Sequence, residues 1–68
     1  MSNADKMFEE LGIIFNYKDE QNCVYSDVNF NITFDNRFKI IIFDQEVNVN
    51  LRLLKAINEK CKELGWNV

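Results

Sequence analysis

The chain has 68 residues, 47% of them hydrophobic and including six Phe, two Tyr and one Trp, which is material for one apolar core and too little for two domains. Eleven acidic and eight basic residues leave a net charge of -3, a balance that gives no reason to approach a phosphate backbone or an anionic membrane. Cys23 and Cys61 lack the paired spacing of a zinc site or a disulfide framework, and no apolar run approaches the ~20 residues that span a bilayer, so a reduced, soluble protein of the cytoplasm is expected.

Residues 4–11, "ADKMFEEL", place Met7, Phe8 and Leu11 on one face of a short helix, with Ser2 or Asn3 as its N-cap and Asp5 near the positive end of its dipole. The segment Ser2-Asn3-Ala4 carries no functional weight. Gly12 follows as the residue that takes a left-handed conformation cheaply, and Ile13 can then fold back on Phe8. Residues 13–17 and 22–25 read as two strands separated by the polar "KDEQ", with Ile13, Phe15, Tyr17, Cys23 and Tyr25 toward the core and Ser26-Asp27 as a tight turn.

Residues 28–34, "VNFNITF", alternate strictly, with Val28, Phe30, Ile32 and Phe34 on one face. Residues 38–43, "FKIIIF", form the next strand. Setting Phe34 opposite Phe38, Ile32 opposite Ile40 and Phe30 opposite Ile42 gives one continuous apolar face, which predicts an odd-length loop such as Asp35-Asn36-Arg37. One long bent strand over residues 22–34, with a bulge near Ser26-Asp27, is the alternative to separate strands and would give three strands in place of four.

A longer helix is predicted over residues 51–64, with Leu53, Leu54, Ile57, Cys61 and Leu64 on its apolar stripe and Arg52, Lys55, Glu59, Lys62 and Glu63 facing water. Asn50 is its N-cap, and Val49 can staple against Leu54. Gly65 and Trp66 repeat the stop made by Gly12 and Ile13, so "EELGIIF" and "KELGWNV" are two helix ends and not a duplicated active-site motif. The expected fold is one α+β domain over residues 1–68, in two layers. A short N-terminal helix, an antiparallel meander of three to four strands and a C-terminal helix follow in order, with both helices on one face of the sheet.

The segments "DKMFEELG" at 5–12, "ITFD" at 32–35 and "LKAINEKCKELGW" at 54–66 resemble a set of small uncharacterised proteins found in phages and prophages of Firmicutes such as clostridia. About a third of the chain carries the resemblance closely. It implies a mobile-element setting in a bacterial cytoplasm and no particular activity. That set has a Thr cap and polar residues where Asn50, Arg52 and Leu53 stand here; Asn50 keeps the capping role.

Chemistry finds little footing in these residues, and no catalytic, cofactor-binding or metal-binding residue is nominated. There is no His to act as general base or metal ligand, and Gly12 and Gly65 are too few for a phosphate loop. The pairs Glu9-Glu10 and Asp19-Glu20 are adjacent and diverge within a regular element. Cys23 and Cys61, with no activating partner in sight, read as small buried hydrophobes. Arg37, Lys39, Arg52, Lys55 and Lys62, with Tyr17, Tyr25 or Trp66 to stack bases, would be the parts of a nucleic-acid site, but Glu59 and Glu63 interrupt the strip.

Ile14, Val24, Ile41 and Phe43 fall, in this register, on the side of the sheet away from the helices, where polar residues are expected. They are the candidate partner-binding residues. The function expected is that of a non-catalytic module that binds another protein, or itself as a homodimer, through that open face or through an edge strand at residues 13–17 or 38–43. A nucleic-acid-binding accessory protein is the alternative.

Overall fold

The computed structural model describes residues 2–66. Helix α1 (Asn3–Glu10) leads into strands β1 (Ile14–Lys18), β2 (Asn22–Ser26), β3 (Asn31–Asp35) and β4 (Ile40–Phe43), and helix α2 (Leu51–Glu63) follows. The strands form one antiparallel sheet in the order β1-β2-β3-β4, so the four-stranded meander, and not the long bent strand, is the architecture.

Local chemistry sets the helix limits. Ser2 caps α1, its Oγ accepting from the Asp5 N–H at 3.0 Å, and Asn50 caps α2, its Oδ1 accepting from the Leu53 N–H at 2.9 Å. At the end of α1 the Ile13 N–H donates to the Phe8 carbonyl and the Gly12 N–H to that of Glu9, both at 2.9 Å. At the end of α2 the Trp66 N–H donates to the Cys61 carbonyl at 2.9 Å and the Gly65 N–H to that of Lys62 at 3.0 Å. Gly12 and Gly65 both stand at φ +78, completing two Schellman motifs, as the repeated E-L-G predicts. The start of α1 meets the end of α2, where the otherwise unpaired Ala4 N–H donates to Glu63 Oε2 at 2.9 Å.

Both helices cover the sheet face that carries Cys23, Tyr25, Ile32 and Phe34. Those four residues, Ala4 and Phe8 of α1, and Leu53, Ala56, Ile57 and Cys61 of α2 make one buried cluster closed by Ile13 and Trp66. Phe8 sits at its centre, its ring centroid 4.5 Å from that of Tyr25 and 6.2 Å from that of Phe34. The α2 stripe differs at one place from expectation: Ala56 is buried and Leu54 is exposed, because Leu54 lies beyond the arc that Leu53, Ile57 and Cys61 present.

Three corrections concern the strands. Val28 is 97% exposed, since the link between β2 and β3 is a four-residue loop of residues 27–30, not a tight turn at Ser26-Asp27. Asp27 Oδ1 accepts from the Asn29 N–H and the Asp27 N–H donates to the Phe30 carbonyl, both at 2.9 Å, so the alternating run begins inside that loop. A β-bulge between Phe15 and Tyr17 shifts the pairing from Phe15–Tyr25 to Tyr17–Val24, which moves Tyr17 from the core side to the open side.

The third correction is the register of β4. Asp35 pairs with Ile40, Phe34 with Ile41, Thr33 with Ile42 and Ile32 with Phe43. The connecting loop has four residues, 36–39, and not an odd number. Asp35 Oδ1 accepts from the Arg37 N–H at 2.9 Å and the Phe38 N–H at 3.3 Å, and Lys39 closes the turn at φ 56. Phe34 thus pairs three residues further along than expected, and an odd shift exchanges the faces of a whole strand, so Ile41 and Phe43 pack against the core while Ile40 and Ile42 face outward and Phe38 stands exposed in the turn.

Candidate functional site

The sheet face opposite the helices is built from the alternate residues of each strand. One row of side chains crosses all four strands: Tyr17 pairs with Val24, Val24 with Thr33 and Thr33 with Ile42. Val24 in the middle is only 6% exposed although no helix lies over it, whereas Tyr17 at one end is 50% and Ile42 at the other 44% exposed. Ile40 extends the apolar surface along β4 and Ile14 lies toward the start of β1, both exposed.

A second row, polar throughout, runs beside the first. Asn16 Nδ2 donates to Ser26 Oγ at 2.8 Å, Ser26 Oγ donates to Asn31 Oδ1 at 2.6 Å, and Asn31 Nδ2 donates to Asp44 Oδ2 at 2.7 Å. The Asn31 backbone N–H also donates to Asp44 Oδ1 at 2.7 Å, which fixes the carboxylate at the end of β4. The bulge in β1 brings Asn16 into this chain of bonds. A largely apolar row, interrupted by Thr33, thus lies beside a fixed hydrogen-bonded row on the open face.

Of the four residues nominated from the sequence, Ile14 and Val24 lie on this face, Ile14 exposed and Val24 largely covered by its neighbours. Ile41 and Phe43 do not; the register sets them against Phe34 and Ile32 on the helix side, with the Phe43 ring 6.2 Å from that of Phe30. Tyr17, Ile40 and Ile42 take their place. The signal for Ile40 and Ile42 was Asp35 as a turn-starting residue; no sequence signal marked the bulge that exposes Tyr17.

The ionisable groups of the core serve structure. The Tyr25 hydroxyl, buried beneath α1, donates to the Asp5 carboxylate, and its pKa is raised far above the ordinary value by burial and by that hydrogen bond. Lys60 places its ammonium 5.6 Å from the Tyr25 ring centroid and 3.9 Å from Glu63. Cys23 and Cys61 are free and buried, and burial pushes the Cys61 thiol up, away from the thiolate a nucleophile requires. Asp19 holds a turn, its Oδ1 accepting from the Gln21 and Asn22 N–H groups, each at 2.8 Å. Among the described residues no three His, Cys, Asp or Glu side chains come together to hold a metal ion, and no helix is long and apolar enough to cross a membrane.

Of the three aromatics considered for base stacking, Tyr25 and Trp66 are buried, Trp66 with its Nε1 donating to Asn36 Oδ1 at 2.8 Å, and Tyr17 is exposed. No family model matches the chain, and no curated protein or solved structure matches it.

Proposed function

We propose that this chain is a small non-catalytic protein-binding module, an accessory protein of a phage or other mobile element acting in a bacterial cytoplasm, and that its open sheet face receives a partner protein. The observation that carries the reading is the row Tyr17–Val24–Thr33–Ile42 crossing the full sheet beside the hydrogen-bonded row Asn16–Ser26–Asn31–Asp44. The mobile-element setting rests on the resemblance of residues 5–12, 32–35 and 54–66 to phage and prophage proteins.

The size of the face selects its occupant. Five-residue strands at ~3.4 Å per residue and four strands at ~4.8 Å spacing give a face of roughly 300 Å². A partner that lays one apolar ridge on the central row, with donors and acceptors along the Ser26–Asn31 side, fits that area. Quantitative affinity capture from a phage-bearing host tests this, with wild type, Tyr17→Ser, Ile42→Ser and the helix-side control Lys55→Ser as baits. A protein held by wild type and Lys55→Ser and lost from both open-face variants, all four equally folded by circular dichroism, is the expected outcome. Equal capture by all four baits would refute the assignment of the face.

A further inference from the structure

The sheet has two edges, and they are not equivalent. Strand β1 carries the bulge between Phe15 and Tyr17 and ends in Lys18, both devices that blunt an edge. Strand β4 has neither: Ile40, Ile41, Ile42 and Phe43 run without bulge, proline or charge. The Asp44 N–H donates inward to the Asn31 carbonyl at 3.3 Å, so by the alternation of an antiparallel ladder Ile40 and Ile42 also bond to β3. The N–H and C=O groups of Ile41 and Phe43 therefore point away from the sheet.

The charges around this edge are ordered. Exposed Arg37 and Lys39 precede β4, and exposed Asp44 and Glu46 follow it. We propose that β4 pairs antiparallel with β4 of a second copy of this chain, making an eight-stranded sheet across a two-fold axis. Antiparallel self-pairing lays the cationic turn of each copy beside the acidic segment of the other, twice over; parallel pairing would set like charge on like. Two conditions restrict the register. A two-fold axis normal to the sheet keeps paired residues on one face, and the bonded residues must be the outward ones. Ile41 opposite Ile41 of the second copy meets both, with Ile40 opposite Ile42 on the open face and Lys39 one residue from Asp44 of the second copy.

Face-to-face packing of two open sheets is the competing arrangement. It would set the Asn16–Ser26–Asn31–Asp44 rows of the two copies against each other and leave Arg37 and Lys39 without acidic partners, whereas the edge arrangement supplies them. The edge arrangement keeps both open faces free and joins them into one surface, so it stands independently of the partner proposed above.

Sedimentation over a concentration series tests it. Wild type is expected to dimerise with a Kd of ~10–100 μM that rises with salt. Arg37→Glu/Lys39→Asp and Gln45→Lys/Glu46→Lys should each raise that Kd at least ~10-fold, while the two mixed in equal amounts should form a heterodimer. Tyr17→Ser, on the far edge of the open face, should leave the dimer intact. By hydrogen exchange, the Ile41 and Phe43 amides should be unprotected when dilute and gain protection with concentration, a readout that needs no variant to fold. A chain still monomeric at ~1 mM, charge variants that fail to pair when mixed, or a dimer dissolved by Tyr17→Ser and indifferent to charge reversal would each overturn the proposal.

Discussion

Gly12 and Gly65 act through backbone conformation alone, because a Cβ built at either position meets nothing within 4 Å while φ stays at +78. Gly65→Ala should therefore cost about 1–2 kcal/mol in urea unfolding, the strain of a left-handed L-residue, and Gly65→Asn less. Tyr25 makes a different prediction. Its hydroxyl stays protonated in the folded chain, because burial and the Asp5 carboxylate disfavour the phenolate, whereas in the unfolded chain it ionises near its ordinary value of 10.0. The unfolded state then binds fewer protons than the folded one above that pH, so stability is full below it and falls as pH rises through it. Cys61, raised by burial, contributes in the same direction. Urea midpoints measured from neutral pH to well above pH 10 should decline more steeply for wild type than for Tyr25→Phe, which retains only the thiol contribution.

At the scale of elements, what could be read from the sequence was what carries its own local chemistry. Both helices, their asparagine and serine caps and their glycine stops are specified within a few residues, and the structure has each of them. Strand existence was equally readable from the alternation at Asn31–Asp35. Register was not, because Ile40, Ile41, Ile42 and Phe43 are apolar at every position and present no period of two to choose a face. Maximising apolar contact then favoured an odd loop, and the Asp35 turn decided otherwise. Buried Asp35 gives its Oδ1 to two backbone donors, Arg37 and Phe38, which fixes four loop residues and with them the face of every β4 side chain. Asp35→Ala should cost about 1–2 kcal/mol by leaving those donors without their acceptor, and Asp35→Asn, which keeps an acceptor oxygen, under about 0.5 kcal/mol. A parallel loss of β4 amide protection in Asp35→Ala alone would locate the effect in the turn.

For the whole molecule, the division into a helix-covered face and an open face was readable, while the membership of the open face was only half so: Ile14 and Val24 were placed correctly, and the bulge and the β4 slip exchanged the rest. The two faces should respond to substitution on different scales. A chain of this size holds roughly 3–10 kcal/mol of folding stability. Phe8 is fully buried where α1, Tyr25 and Phe34 meet, and its ring is what joins the N-terminal helix to the sheet. Truncating such a ring to Ala costs about 3–5 kcal/mol, the transfer of the lost atoms plus the cavity they leave. Phe8→Ala should therefore be substantially unfolded by circular dichroism at ambient temperature. Phe8→Leu, which leaves a smaller void, should fold with a lowered midpoint. Ile42→Ser, on the open face where water already reaches the side chain, should shift stability by under about 1 kcal/mol and change what the protein binds before it changes whether the protein folds.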